Sequence, residues 1–386
     1  MAFRPVSLLL LALALVPLSG CKVLGMRTIP TEMLEEDYEK PNSRYIEIDG
    51  TKMHYTVEGK GPPVLLLHGV LASLHTWDAW VPLLKEAFTV VRVDIPGFGL
   101  SEAFDDDDKY TPEYAVEFVE KARKKLGFEK FHIVGNSLGG FIAWYYATKF
   151  PERVDKLILI DPASYPQDLP FIIGLAANRL FGAAAQLTSP RFIVKRNLRK
   201  VYGNPDAVTD ETIDRYHNLL LRDGHRHAMV QYCRVLEKYA DTEELVQHIP
   251  EIKSRTLLMW GEKDRWVPPE LVERWRHDLP DIEVRMYPEG GHIPMEEIGE
   301  ETARDAYGFL TDGAEPPDEE EQGAAKAKVV ADDPEAGETA APKAAPVAKP
   351  KLDDEESEGS SGGEAPAQQE APKSTKPDIG WDDDEE

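Results

Sequence analysis

The sequence predicts an α/β protein with a mainly parallel sheet flanked by helices. Short apolar runs alternate with longer helical runs, which is typical of parallel strands joined by helical crossovers. Before them, Asp49-Gly50 separates two alternating runs, at 45–48 and 53–57, and predicts an antiparallel hairpin. We expect strands near 64–68, 89–94, 131–136, 156–160, 255–260 and 282–287, and helices near 77–85, 112–126, 138–149, 269–278 and 295–310.

A long insertion interrupts this alternation. Residues 163–254 separate two consecutive predicted strands, which is far more chain than an ordinary connection needs. The insertion has a mostly helical pattern, so we expect a helical cap over a core formed by residues 43–162 and 255–311. Its first part, at 171–175 and 180–185, is unusually apolar. Either it packs on the core, or it roofs an apolar pocket that admits acyl chains and touches a membrane.

The N-terminus resembles a secretion signal. Residues 1–20 combine Arg4, an apolar run and small residues before Cys21. Leu18-Ser19-Gly20-Cys21 resembles the bacterial lipobox, which implies lipidation of Cys21 after cleavage, and Lys22 favours the outer membrane. We therefore expect a cell-envelope lipoprotein facing the periplasm, tethered to the membrane by residues 21–42. The alternative is an ordinary secreted protein in which Cys21 is incidental.

The C-terminal part has a different composition. Residues 312–386 hold 23 Asp or Glu and 7 Lys, which accounts for 16 of the 26 net negative charges of the 386-residue chain. With few aromatic residues, this segment is expected to be disordered. A solubilising role is the simpler interpretation, and binding of a basic protein partner through residues 379–383 is the alternative. The acidity argues against a nucleic acid partner.

The most informative motif is Gly135-Asn136-Ser137-Leu138-Gly139. An apolar run suited to a buried strand precedes it, and an apolar helical run follows it. A serine on such a sharp strand-to-helix turn is a nucleophile elbow, and its glycines allow neighbouring backbones to come close. We interpret Ser137 as the nucleophile. The alternative is a structural turn with a spectator serine.

A general base and an orienting acid are expected after the serine. Asp264 follows the predicted strand at 255–260, and His292 follows the strand at 282–287. His292 would take the Ser137 proton, and Asp264 would orient the imidazole and stabilise the imidazolium. Two other acids compete for this role. We interpret Glu262 as a solvated loop residue and Asp161 as a residue that braces its loop.

Backbone amides are expected to form an oxyanion hole. One donor is the amide of Leu138, which follows the nucleophile, and the other is the amide of Val70, in the loop after the strand near 64–68. His68 begins this loop, and we interpret it as a structural brace for the oxyanion hole.

Five motifs, in this order and at these spacings, resemble the α/β-hydrolase superfamily over residues 43–311. More narrowly, they resemble its branch of capped esterases, lipases and carbon–carbon bond hydrolases. The resemblance implies the α/β-hydrolase fold. Related dehalogenases and epoxide hydrolases carry an aspartate where this chain has Ser137, so the serine favours acyl transfer. The motifs are His68-Gly69, Asp94-Ile95-Pro96-Gly97-Phe98-Gly99-Leu100-Ser101, Gly135-Asn136-Ser137-Leu138-Gly139-Gly140, Gly261-Glu262-Lys263-Asp264 and Gly291-His292.

These observations together predict a serine hydrolase that cleaves carboxylic esters with an apolar moiety through an acyl-enzyme intermediate. The expected substrate is a small-molecule ester or a lipid, with no metal and no organic cofactor. Two alternatives stay open. One is hydrolysis of a carbon–carbon bond next to a ketone by the same three residues, as in hydrolases of ring-cleavage products. The other is a non-catalytic lipoprotein that uses the fold as a binding module.

Overall fold

An eight-stranded sheet is the centre of the computed structural model, which describes residues 25–315. Its strands lie in the order β1-β2-β4-β3-β5-β6-β7-β8. Strand β2 is antiparallel to β1 and β4, and all other pairs are parallel. The predicted α/β fold class with a mainly parallel sheet is therefore confirmed. In chain order β1 to β8 are Ser43–Ile48, Thr51–Glu58, Pro63–Leu67, Thr89–Val93, Phe131–Asn136, Val154–Ile160, Arg255–Gly261 and Glu283–Tyr287.

Helices cover both faces of this sheet and fill the insertion between β6 and β7. Five short 3-10 helices add to them, at Leu74–Trp77, Asp107–Lys109, Pro151–Arg153, Pro205–Ala207 and Val246–Glu251. The α-helices α1 to α12 are Thr31–Tyr38, Val81–Leu84, Pro112–Leu126, Leu138–Lys149, Phe171–Ala177, Arg179–Leu187, Arg191–Val201, Asp210–Leu220, His225–Tyr239, Leu271–Asp278, Pro294–Glu297 and Gly299–Leu310.

The central strands β3 to β7 are largely apolar on both sides because they are buried between two helical layers. In β3, Leu65 and Leu67 belong to the core cluster that contains residues of α3 and α4. Val64 and Leu66, which alternate with them, belong to the cluster that contains residues of α2 and α12. Successive side chains of a strand point to opposite faces, so each of the strands β3 to β7 contributes to both cores.

The insertion between β6 and β7 consists mainly of α5 to α9. Helices α5 and α6 pack on α9, and α7 packs on α8. Because the central strands are parallel, the loops after β3, β5, β6, β7 and β8 all lie at the carboxyl edge of the sheet, where ligands bind in open α/β sheets. The insertion adjoins this edge: the amide of His292 donates to the carbonyl of Val201, at the end of α7.

The structure differs from the expectations in three places. Residues 25–42, predicted as part of a tether, contain α1, whose Leu34 is buried with Leu100 and Leu219. The predicted helix at 77–85 is a 3-10 helix followed by the one-turn α2. The predicted helix at 295–310 is broken at Ile298, where Gly299 lies directly against Ala79.

Several expectations fall on residues outside 25–315. These are the signal at 1–20, lipidation of Cys21 and most of the acidic tail. The first four tail residues, 312–315, are described, and Asp312 forms ion pairs with Lys156 and Arg255. No helix within residues 25–315 is both long and apolar enough to cross a membrane.

Candidate active site

Ser137 lies on a tight turn between β5 and α4. Its backbone has φ 51° and ψ −113°, a conformation that is strained for a non-glycine residue. The neighbouring glycines are required by close backbone contacts. A Cβ at Gly135 would lie 2.1 Å from the Gly139 carbonyl oxygen, and a Cβ at Gly139 would lie 2.2 Å from the Leu67 carbonyl oxygen. The turn thus holds Ser137 at the carboxyl edge of the sheet.

His292 and Asp264 form a buried pair at the same edge. His292 Nδ1 lies 2.7 Å from Asp264 Oδ2, so an Nδ1–H donates to the carboxylate and Nε2 keeps its lone pair. The other carboxylate oxygen, Oδ1, accepts from the amides of Trp266 at 2.7 Å and Val267 at 3.1 Å. These bonds fix the carboxylate and therefore the plane of the imidazole. His292 and Ser137 line one cavity.

Asn136 connects the serine turn to the histidine loop, a role that the sequence analysis did not foresee. Its side-chain amide donates to the carbonyl of His292 at 2.9 Å and to the carbonyl of Ile160 at 3.1 Å. Asn136 is fully buried at the last position of β5. In the sequence, only its position directly before Ser137 could have indicated this role. The two carbonyls that it contacts belong to loops that come close to Asn136 only in the folded chain.

Asp161 lies close to the His292–Asp264 pair but does not replace Asp264. It follows β6, is fully buried, and its Oδ1 accepts from the amide of Gly261 at 2.9 Å. One side-chain ligand atom from each of Asp161, Asp264 and His292 lies within 4.8 Å of the others. Burial, and then the nearby charge of Asp264, raises the pKa of Asp161 well above its usual value. Both effects disfavour the ionised form of Asp161. The other competing acid, Glu262, is exposed.

The loop after β3 lies against the serine turn. A Cβ at Gly69 would lie 2.9 Å from Asn136 Oδ1 and 3.2 Å from the Cβ of Ser137, so Val70 follows a residue that packs closely against the turn. Val70 and Ser137 line the same cavity, and Leu138 is the buried first residue of α4, where amides are free of helical partners. Both proposed amide donors therefore belong to segments that meet at Ser137.

His68 is a brace in this loop. Its Nδ1 donates to the carbonyl of Gly69 at 2.7 Å, and its Nε2 accepts from the amide of Ile95 at 3.0 Å. Burial lowers the pKa of His68, which keeps the ring neutral. Because both ring nitrogens are occupied by backbone groups, the interpretation of His68 as a structural residue agrees with the geometry.

A cavity of about 360 Å³ lies above Ser137 and His292. Among the described residues that line it, none is Lys, Arg, Asp or Glu. Cys233 is one of the lining residues, and burial raises the pKa of its thiol to about 12. The insertion supplies most of the apolar wall, including Leu169, Ile172, Ile173, Leu175, Ala176, Phe181, Ala184, Ala185, Ile193, Val194, Leu198, Val201, Tyr216, Leu220, Met229 and Leu236.

Glu296, on α11 shortly after His292, holds the insertion on the core. Its carboxylate accepts from the hydroxyl groups of Tyr202 at 3.1 Å and Tyr216 at 2.9 Å, and it pairs with Arg215. On the core side it accepts from Thr76 Oγ1 at 2.7 Å. No local pattern in the sequence indicates this role of Glu296, because its partners come from three separate segments.

The sheet order, the helical insertion after β6 and the serine turn after β5 together define a hydrolase of the α/β type. The chain belongs to the α/β-hydrolase family, whose model, described as an alpha/beta hydrolase fold, matches residues 62–297. This finding confirms the superfamily resemblance of the sequence motifs.

Known proteins of several activities are similar to this chain. A 2-hydroxy-6-oxononadienedioate/2-hydroxy-6-oxononatrienedioate hydrolase of Comamonas testosteroni is 27% identical over 291 residues, which cover 72% of this chain and 100% of that protein. The crystal structure of a membrane phospholipase A, a bacterial virulence factor, is 26% identical with a TM-score of 0.61, covering 80% of this chain and 99% of the other. A meta-cleavage product hydrolase of Pseudomonas fluorescens has a TM-score of 0.62 at 22% identity, covering 70% of this chain and 98% of its own, and shows the fold alone.

These similarities support a hydrolase without assigning the bond. The relatives named for ring-cleavage products favour carbon–carbon hydrolysis, which was the alternative of the sequence analysis, over ester hydrolysis. The finer assignment therefore depends on the chemistry of the cavity.

Proposed function

We propose that this protein is a serine hydrolase that cleaves an uncharged carboxylic ester with a long apolar acyl chain. The observation that carries the proposal is the cavity above Ser137, whose described lining is mostly apolar and has no Lys, Arg, Asp or Glu side chain. An apolar cavity of this size favours the burial of hydrocarbon and disfavours a buried carboxylate without a partner.

Acylation begins with Ser137 and His292. His292 Nε2 takes the hydroxyl proton while Ser137 Oγ attacks the ester carbonyl carbon, and the carbonyl π electrons move to oxygen. The amides of Val70 and Leu138 donate to this oxyanion. When the tetrahedral intermediate collapses, the C–O bond to the alcohol breaks, and His292 returns the proton to the alcohol. Water then repeats these steps on the acyl-enzyme and releases the acid.

Asp264 orients His292 throughout the cycle. Its hydrogen bond to Nδ1 selects the tautomer in which Nε2 is the base, and its negative charge stabilises the imidazolium. Burial and the charge of Asp264 raise the pKa of Asp161, which disfavours a second negative charge beside the pair.

Carbon–carbon hydrolysis is the second candidate, because the Comamonas relative is named for such a substrate. The name of that substrate ends in dioate, and two carboxylates in a buried site are stabilised chiefly by cationic partners. Of the described residues that line the cavity, Gln167, Asn197 and the hydroxyl residues are polar and uncharged. This lining supports the ester over the dicarboxylate.

The test is hydrolysis of p-nitrophenyl esters from acetate to palmitate by the chain from Lys22 to Glu386, beside its Ser137→Ala variant. The same proteins are assayed on 2-hydroxy-6-oxo-6-phenylhexa-2,4-dienoate. We expect the highest kcat/KM for long acyl chains and a loss on the order of 10⁶-fold in Ser137→Ala. Turnover of the dienoate with no turnover of any ester would establish the second candidate. Equal ester hydrolysis by both proteins would overturn the role of Ser137.

A further inference from the structure

Three consecutive helices of the insertion expose large apolar side chains to solvent. Relative exposure is 82% for Phe171 on α5, 81% for Leu180 and 69% for Leu187 on α6, and 63% for Phe192 on α7. In α6 the outward side is apolar, while Gly182 packs against α5 and α9. Such an inverted pattern is unusual, since amphipathic helices normally bury their apolar side. We name these residues, with Phe181 and Ile193, the cap face.

Positive charge accompanies these apolar residues. In a chain with net charge −26, α7 has five basic residues and no acidic residue. Lys195, Arg196 and Arg199 lie three, four and seven positions after Phe192, so they share its side of the helix. Arg191, Lys195 and Arg199 also form ion pairs with aspartates of the insertion, and such exposed pairs are weak in water. Apolar residues beside Lys and Arg are typical of helices that lie on anionic lipid. The basic residues are Arg191, Lys195, Arg196, Arg199 and Lys200.

The N-terminal end of the described chain meets the insertion between α6 and α7. The carbonyl of Gly25 accepts from the amide of Ser189 at 3.3 Å and from Arg226 at 2.7 Å. Cys21, the predicted lipidation site, is four residues earlier, and four residues span at most about 14 Å. A lipid on Cys21 would therefore enter the bilayer next to the cap face.

The cap face also borders the cavity above Ser137. Phe181 and Ile193 are exposed to solvent, and both line that cavity. The apolar wall of the site thus continues to the outer surface through these two side chains. A surface in contact with lipid at this place would give an acyl chain an apolar path from the bilayer to Ser137.

We propose that the cap face docks on an anionic phospholipid bilayer, with its apolar side chains in the interfacial region and the basic residues of α7 on the headgroups. Docking through the cap face alone is reversible, because a single weak membrane attachment is marginal. The lipid on Cys21 supplies a second attachment, and the two together make membrane binding stable.

The test uses the chain from Lys22 to Glu386, which has no lipid and keeps every described helix and strand. Binding to vesicles of equimolar phosphatidylglycerol and phosphatidylcholine, and of phosphatidylcholine alone, is measured by sedimentation. We expect binding to the anionic vesicles that weakens with salt. Leu180→Glu with Phe192→Glu lowers the partition coefficient by about 100-fold. Arg196→Glu with Lys200→Glu lowers it by about 30-fold on anionic vesicles.

A matched control carries Lys60→Glu and Lys130→Glu. These exposed lysines precede β3 and β5, at the edge of the sheet opposite the cavity. Their double substitution changes the net charge by the same amount as Arg196→Glu with Lys200→Glu. The control should bind as the unmodified chain does. Leu180 and Phe192 do not line the cavity, so hydrolysis of a soluble short ester and the melting temperature should stay unchanged in their variant and report that it is folded.

Two outcomes would overturn the proposal: failure of the unmodified chain to bind anionic vesicles, or binding by the Leu180→Glu, Phe192→Glu variant at the level of the unmodified chain. If light scattering instead shows a dimer that this variant dissociates, without vesicle binding, the cap face is an interface between two copies. Ser137→Ala should bind vesicles normally, so failure of docking and failure of the proposed hydrolysis remain distinguishable.

Discussion

The side-chain amide of Asn136 donates a 2.9 Å hydrogen bond to the backbone carbonyl of His292. This bond joins the residue before the proposed nucleophile to the proposed base, which lies 156 positions later in the chain. A second bond from the same amide, to Ile160, connects the loop that carries Asp161. One buried amide thus sets the spacing of three loops that contribute to the site.

Asn136→Ala should lower kcat about 100-fold and change KM little. Without the amide, the His292 loop is free to shift. A displacement of about 1 Å between the base and the nucleophile can lower the rate about 100-fold. Asn136→Asp is the matched variant, because it keeps the size of the side chain but lacks the N–H donor. Steady-state kinetics on a p-nitrophenyl ester measures the effect. A wild-type kcat in both variants, with unchanged melting temperatures, would show that the bond does not position His292.

The two buried acids near His292 should respond differently to amide substitution. Asp264→Asn should reduce kcat by about 10⁴-fold, because the amide selects the wrong imidazole tautomer and supplies no charge. Asp161→Asn should reduce kcat less than about tenfold. Burial and Asp264 raise the pKa of Asp161, which favours its uncharged form, and an amide oxygen can still accept from the Gly261 amide. Comparison of kcat at pH 7 decides. Equal, large losses would mean that Asp161 is ionised in the active protein.

Gly139→Ala should destabilise the protein by about 3 kcal/mol or more. Its new Cβ would lie 2.2 Å from the carbonyl oxygen of Leu67, where two backbone segments would have to separate. Gly308→Ala is the control, since a Cβ there meets no atom within 4 Å and Gly308 lies in α12. It should stabilise the protein by about 0.5–1 kcal/mol. Urea unfolding of both variants measures the difference, and similar stabilities would contradict the close approach.

Acidification should weaken the fold through His75. Burial lowers the pKa of His75 to about 4 from the usual 6.5, so between these values the unfolded chain binds a proton that the folded chain does not. The free energy of unfolding should therefore decrease as the pH is lowered from 7 to 5. The contribution of His75 to this decrease is about 2 kcal/mol. His75→Gln should remove this part of the pH dependence. His277→Gln is the control, because it removes an imidazole from an exposed position. Urea unfolding at pH 7 and pH 5 tests it, and an unchanged pH dependence in His75→Gln would contradict the lowered pKa.

Much of the fold was predictable from local pattern. The parallel strands are buried on both faces and therefore appear as short apolar runs, and Asp49-Gly50 marks the hairpin of β1 and β2. The missed elements depend on distant partners. Helix α1 has only eight residues and is stabilised by burying Leu34 beside Leu100 and Leu219, which no local pattern indicates.

For the site, the sequence by itself determined the chemical types and their order: Ser137 between a strand and a helix, Asp264 and His292 after two later strands. Chain connectivity of a parallel sheet brings such loop residues to one edge, so their order along the chain was informative. Only the tertiary structure decided which acid pairs with His292, that Asp161 is buried with a raised pKa, and that Asn136 and Glu296 hold the loops and the insertion in place. The physical reason is that hydrogen-bond geometry and desolvation depend on atoms far apart in sequence, and these are fixed only when the chain is packed.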